Sequence, residues 1–129
     1  MAKKILVVDD DPQLIRLLVS KLRANNYEAI AASDCYQCVK MSMEERPDLI
    51  LLDIKMPAGG GLSAFETLRR SMYTVTIPVI FITGYPDENI KKQVFEMGAE
   101  DFILKPFDSN DLLKKVRKAL GEESESIHQ

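Results

Sequence analysis

The sequence lacks any apolar run of the roughly eighteen residues that a membrane-spanning helix needs, and its N-terminus lacks the long apolar core of a signal peptide. It also lacks an excess of positive charge, because 17 lysines and arginines stand against 20 aspartates and glutamates, for a net charge of -3. A nucleic-acid-binding surface shows the opposite balance. We therefore expect a cytoplasmic protein that binds neither a membrane nor nucleic acid directly.

Cysteine is also scarce, with two in the whole chain. Cys35 and Cys38 have the Cys-x-x-Cys spacing of redox motifs. The alternative is that both lie on a helix that starts after Asp34, with Cys38 on its buried face. A free cysteine usually behaves as a small buried apolar side chain, so we favour the second interpretation.

The remaining composition is that of an ordinary globular domain. Of the 129 residues, 46% are hydrophobic and 29% are charged, which excludes a disordered or fibrous chain. Residues 122–129 are polar and acidic and indicate a tail or the start of a linker. We expect one domain over residues 1–121, with no need of a disulfide or a structural metal to fold.

Five short apolar segments alternate with five amphipathic ones. This pattern predicts an α/β fold with a doubly wound, five-stranded parallel sheet. Several segments, such as residues 5–8 and 49–52, are apolar at every position, so helices must cover both faces of the sheet. Right-handed crossovers favour the strand order 2-1-3-4-5 of flavodoxin-like folds.

Local signals place the helices. The first should begin at Pro12, after Asp11, and the fourth near Asp87. Asp108 or Ser109 should cap the last one. The apolar face of the first helix is predicted to carry the leucines at positions 14, 17, 18 and 22. The glycines at positions 59–61 predict the most adaptable loop of the chain.

Reactive side chains follow four of the strands. Asp9 and Asp10 follow the first strand, Asp53 the third, Thr83 the fourth and Lys105 the fifth. The carboxyl ends of parallel strands meet at one edge of the sheet, where ligands bind. We therefore expect these side chains to converge.

Three neighbouring carboxylates repel one another unless a cation lies between them. Magnesium takes a few carboxylates and leaves its other positions to waters and phosphate oxygens. Asp9, Asp10 and Asp53 can supply such a partial shell, and the backbone carbonyl of Lys55 is a candidate for a further oxygen. The sequence therefore predicts a Mg²⁺ site.

A hydroxyl and an ammonium beside such an ion are typical of phosphoryl transfer, and these are Thr83 and Lys105. Aspartyl phosphates are known covalent intermediates, and Asp53 is the best nucleophile because its strand is predicted to be central. Lys105-Pro106 is either a simple turn or a cis peptide bond that fixes the direction of the lysine.

These residues belong to four longer motifs that, in order, resemble those of the receiver domain of bacterial two-component response regulators, and the resemblance extends over residues 3 to about 120. The motifs are Val7-Val8-Asp9-Asp10-Asp11-Pro12, Leu51-Leu52-Asp53-Ile54-Lys55-Met56-Pro57 with Gly61 four positions on, Phe81-Ile82-Thr83-Gly84, and Gly98-Ala99-Glu100-Asp101-Phe102-Ile103-Leu104-Lys105-Pro106-Phe107.

The resemblance implies that Asp53 accepts a phosphoryl group from a phosphohistidine of a sensor histidine kinase or a histidine phosphotransfer protein. It also implies that Asp10, Asp53 and the Lys55 carbonyl hold Mg²⁺, with Asp9 acting through water. The single histidine of the chain, His128, lies in the polar tail, so the donor must be a separate protein. Such a domain catalyses its own phosphorylation and slow dephosphorylation and is not a turnover enzyme.

The resemblance further implies a switch. Lys105 would pair with the phosphoryl group and Thr83 would donate a hydrogen bond to it. Phe102, where the family more often has tyrosine, would follow the movement of Thr83. The surface of the fourth helix, fifth strand and fifth helix would then change and engage a downstream protein or an output domain.

Two other function classes fit the sequence less well. A haloacid-dehalogenase-like phosphohydrolase needs a second acid two positions after its strand-end aspartate, and Lys55 occupies that position. A phosphate-independent interaction module would not need Asp53, Thr83 and Lys105 together. The chain is either a stand-alone receiver, which we favour, or the N-terminal receiver of a larger regulator with an output domain.

Overall fold

The computed structural model describes residues 2–56, 60–84 and 87–122. The predicted tail beyond Glu122, with His128, and part of the glycine-rich loop lie outside these ranges. No helix within the described ranges has the length and apolar character needed to cross a membrane.

The predicted fold class is confirmed. Five parallel strands form one sheet in the order β2-β1-β3-β4-β5. The elements are β1 (Lys4–Val8), α1 (Pro12–Ala24), β2 (Glu28–Ala32), α2 (Cys35–Glu45), β3 (Leu49–Asp53), α3 (Gly60–Arg69), β4 (Val79–Thr83), α4 (Glu88–Glu96), β5 (Asp101–Leu104) and α5 (Ser109–Ala119).

Helices cover both faces of the sheet and enclose two apolar cores. On one face α2, α3 and α4 contribute buried residues, among them Phe65 of α3, which contacts Phe81 of β4 edge to face. On the other face α1 and α5 contribute Leu18, Leu22 and Leu112. All residues of β3 and β4 are buried, because both strands contact helices on their two sides.

Aspartates cap four of the helices. The side chains of Asp11, Asp34, Asp87 and Asp108 each accept a hydrogen bond from a backbone N–H in the first turn that follows. Such caps satisfy N–H groups that have no partner inside the helix. The predicted helix starts are confirmed, and Asp108 rather than Ser109 caps α5.

The structure decides two points about the helices that the sequence left open or predicted wrongly: the exposure of Leu17 and the state of the two cysteines. Leu17 was expected on the apolar face of α1 but is 47% exposed, because Leu18 and Leu22 already fill the contact with the sheet. Both cysteines are free thiols, Cys35 half-buried and Cys38 buried in the core, as the packing interpretation predicts. Burial raises the pKa of Cys38 to about 12, which keeps it a thiol at neutral pH.

Candidate functional site

The carboxyl ends of β1 and β3 bring three carboxylates together. Asp53 is the last residue of β3, and Asp9 and Asp10 directly follow β1, whose Val8 is level with Leu52. One oxygen from each carboxylate lies within 4.8 Å of the others. Asp9 and Asp53 are buried whereas Asp10 is exposed, so the cluster opens to solvent on the Asp10 side.

Lys105 directly follows β5, the edge strand two positions from β3, and its side chain extends to the cluster. Its Nζ lies 3.0 Å from Oδ2 of Asp9 and 3.8 Å from Oδ2 of Asp53. Its backbone N–H donates to the Thr83 carbonyl at 2.7 Å, and the Lys105–Pro106 peptide bond is cis. The lysine therefore bridges two of the acids, with the shorter contact to Asp9.

The charge on Asp53 is held in an unfavourable environment. Burial raises the pKa of its carboxyl above the ordinary value, and the neighbouring Asp9 carboxylate raises it further. Lys105 opposes the shift, as does the Lys55 N–H, which donates to Oδ1 of Asp53 at 3.2 Å. A further cation at this position would relieve the remaining repulsion.

The donor set fits a hard divalent cation. Three carboxylates offer only oxygen, and they lie close enough to share one ion while leaving room for waters or phosphate oxygens. Asp9 is already engaged at both oxygens, since Oδ1 accepts from the Asp11 N–H at 2.9 Å and Oδ2 from Lys105. Asp10 is therefore the more available direct ligand, followed by Asp53, whose Oδ2 lies 3.8 Å from the Lys105 Nζ, beyond hydrogen-bond distance.

Two glycines bring the start of α3 against the end of β3, a role that the sequence analysis missed. The Gly61 N–H donates to the Ile54 carbonyl at 3.0 Å, and a Cβ on Gly61 would collide with the backbone carbonyl of Asp53. Gly60 has a φ of +65°, which favours glycine. The expectation that these glycines make an adaptable loop is wrong for Gly60 and Gly61, because close backbone approach fixes them.

Thr83 and Phe102 lie on neighbouring strands behind the cluster. Thr83 is fully buried at the end of β4, and Phe102 in β5 is 7% exposed. The Phe102 ring lies 6.4 Å from that of Phe95 in α4, and the Lys91 Nζ lies 5.8 Å from its centroid. The Phe102 side chain thus couples β5 to α4. Sequence reasoning missed Phe95 and Lys91, because nothing in their spacing pairs them with β5.

Comparisons with known proteins agree with this geometry. The family model for the response regulator receiver domain matches residues 5–117. The phosphate regulon transcriptional regulatory protein PhoB of Pseudomonas aeruginosa is 34% identical over 120 residues, which are 93% of this chain and 52% of that protein. The response regulator PleD of Caulobacter vibrioides is 39% identical over 117 residues, 91% of this chain and 26% of its own length.

Solved structures give the same result. A CheY-like receiver domain protein of Methanospirillum hungatei has a TM-score of 0.89 at 29% identity, covering 95% of this chain and 96% of that one. The receiver domain of a sensor histidine kinase of Pseudomonas aeruginosa, described with a magnesium ion coordinated in its active-site cleft, has a TM-score of 0.85 at 26% identity. That match covers 94% of this chain and 99% of the other.

The chain spans about half of the length of PhoB, so the likeness concerns one domain of that protein. Within that domain, the fold, the strand order and the family match over residues 5–117 agree. The chain therefore belongs to the family of response regulator receiver domains, the receivers of two-component signal transduction.

Proposed function

We propose that Asp53 is the phosphoacceptor of this receiver. A carboxylate oxygen of Asp53 forms a bond to phosphorus while the bond from phosphorus to the histidine nitrogen of the donor breaks, and the imidazole leaves with the electron pair. The observation that supports this role is the position of Asp53, buried at the end of a central strand between two further acids and Lys105.

Asp10, Asp53 and the backbone carbonyl of Lys55 would hold Mg²⁺, and Asp9 would act through water. When bound, Mg²⁺ offsets the charge on the phosphoryl oxygens. Lys105 offsets the repulsion between Asp9 and Asp53 before the reaction, and its ammonium then pairs with the new phosphoryl group. The position of Lys105 between the two acids supports both roles.

The negative charge that phosphorylation adds to Asp53 operates a switch. Thr83 turns its hydroxyl toward the phosphoryl group, and the space that it leaves lets Phe102 move inward. Phe102 then loses its contacts with Phe95 and Lys91, and the surface of α4, β5 and α5 changes. The buried position of Thr83 beside β5 supports this sequence of movements.

The partners follow from this chemistry. A sensor histidine kinase or a histidine phosphotransfer protein donates the phosphoryl group, and a downstream protein or an output domain reads the switched surface. Residues 1–121 form the phosphoacceptor domain, with 122–129 as a tail or the start of a linker. The domain acts in the cytoplasm through protein contacts, binds neither a membrane nor nucleic acid itself, and modifies itself rather than turning over a substrate.

Metal dependence tests the proposal. We expect the protein to gain the mass of one phosphoryl group when it is incubated with acetyl phosphate and Mg²⁺, and to gain none when EDTA replaces the metal. Intact-protein mass spectrometry measures both results. A gain of equal size in EDTA would contradict the role of the acidic cluster, and no gain in either buffer would contradict the proposed function itself.

Lys105→Ala separates phosphorylation from switching. We expect this variant to accept phosphate more slowly, yet to lose the changes in amide chemical shifts around Phe102 that follow phosphorylation in the wild type. The reason is that the Lys105 ammonium contacts both carboxylates, with Nζ 3.0 Å from Asp9 and 3.8 Å from Asp53. Lys118→Ala, an exposed lysine on α5, is the control. If phosphorylated Lys105→Ala showed the same chemical-shift changes around Phe102 as the wild type, Lys105 would not couple phosphorylation to the switch.

A further inference from the structure

An open groove of about 840 Å³ lies between α1 and β2, at an edge of the sheet distant in strand order from β5. The sequence of β2 explains it. Ala29 and Ala31 lie on the side of the strand that faces α1, where their methyl groups leave space that larger side chains would fill. Ile15 and Val19 of α1 line the opposite side and make it apolar.

The groove borders the outer edge of β2, where Ala31 is exposed and Ala29 is buried beneath Arg23. β2 is an edge strand and pairs with β1 alone in the described sheet. The Glu28 N–H donates to Lys3 and the Ala32 carbonyl accepts from Asp9, so alternate peptide groups point toward β1. The groups of Ala29 and Ala31 therefore point outward, and the Ala29 carbonyl indeed accepts from the Arg23 guanidinium at 2.9 Å.

The charge along the groove has one sign. Arg16 and Arg23 are exposed and line it, and the residues that line it within the described ranges include no aspartate or glutamate. Glu28, the carboxylate at the start of β2, has its Oε2 3.8 Å from Nζ of Lys4, on the other face of the sheet. Edge strands are commonly protected by cations, and here the cations also favour an anionic partner.

We propose that this groove binds an extended acidic segment of a partner protein, which adds to the outer edge of β2 as a sixth strand. The apolar side chains of the segment contact Ile15 and Val19, and its carboxylates pair with Arg16 and Arg23. Arg23 exchanges a neutral acceptor, the Ala29 carbonyl, for a carboxylate, and frees that carbonyl for the added strand. The groove lies apart from the acidic cluster, so this inference does not rest on the phosphoacceptor function.

A designed peptide tests the chemistry. The probe is a fluorescently labelled peptide that alternates valine and glutamate, and fluorescence anisotropy measures its binding to the full chain. We expect saturable binding, with amide shifts confined to β2 and the facing residues of α1. A peptide that alternates valine and lysine should not bind, and polyglutamate should bind at least about tenfold more weakly, because it lacks the apolar contacts. If polyglutamate bound as tightly as the probe, the proposed added strand would be refuted, and the groove would be a nonspecific site for polyanions.

Two variants test the geometry. Ala31→Pro removes an outward N–H without touching the ladder to β1, and Arg16→Glu reverses one charge of the groove. Each should weaken probe binding by about tenfold, the effect of one or two lost polar contacts. Lys92→Glu, the same charge change on α4, should leave binding unchanged. Circular dichroism verifies that each variant folds. If Ala31→Pro does not fold, the affinity of Arg16→Glu for the probe tests the proposal alone. Wild-type affinity in Arg16→Glu would overturn the proposal.

Discussion

Asp53→Asn should gain no phosphoryl group from acetyl phosphate and Mg²⁺ under conditions in which the wild type gains one. The amide keeps the size of the side chain, but it is a poor nucleophile and its neutral oxygen is a weaker ligand for the proposed metal site. Intact-protein mass spectrometry measures the loss, and peptide mapping of the wild type locates the modification. Asp111→Asn, on the exposed face of α5, is the matched control and should be modified like the wild type.

The same variant should unfold at a higher temperature than the wild type in metal-free buffer at neutral pH. Burial and Asp9 raise the pKa of Asp53, so its charge opposes folding above that raised pKa. The two stabilities should converge as the pH falls below the ordinary value of 3.8, where the carboxyl is protonated in the folded and the unfolded chain alike. Mg²⁺ should stabilise the wild type more than Asp53→Asn. An equal gain for both would place the ion elsewhere.

Gly61→Ala should lower the free energy of unfolding by about 2–3 kcal/mol, because its methyl group would collide with the backbone carbonyl of Asp53. A backbone atom cannot turn away as a side chain does, so the end of β3 or the start of α3 must shift. We expect the Asp53 carboxylate to leave its position beside Asp9 and Asp10, and phosphorylation to slow strongly. Urea unfolding and the mass assay measure the two effects.

Gly84→Ala is the control for that prediction. Gly84 directly follows β4, yet the nearest atom to a methyl group there is the Lys105 Cβ at 3.9 Å, an ordinary contact. Its stability should change little. If Gly61→Ala were as stable as Gly84→Ala and accepted phosphate at the wild-type rate, the close approach of α3 to Asp53 would have no role in forming the site.

The sequence predicts the fold and the membership of the cluster well, for a physical reason. A strand buried on both faces must be apolar until it leaves the sheet, so the first polar residue marks the edge where ligands bind. Asp9, Asp53, Thr83 and Lys105 could therefore be assigned to one edge without a structure. Their roles in phosphoryl transfer stay predictions that the variants above test.

Contacts between distant segments could not be predicted in this way. The shorter contact of Lys105 to Asp9 than to Asp53 depends on sub-ångström placement of three strands. Arg69 is a further case, since its guanidinium donates to the carbonyls of Val75, Ile77 and Gly98 and lies over the Phe65 ring. In the sequence it is one more charge at the end of a helix.

The aspartate caps reduce the positive potential at the edge of the sheet that carries the acidic cluster. Five helices follow the five strands, and four of them carry an aspartate cap that offsets the positive end of the helix: Asp11, Asp34, Asp87 and Asp108. Those helix ends therefore add little attraction for an anion, and Lys105 is already shared by two acids. An anionic donor would meet repulsion until a cation had entered, so we expect ordered binding, metal first, with a dependence on ionic strength that weakens once Mg²⁺ is saturating.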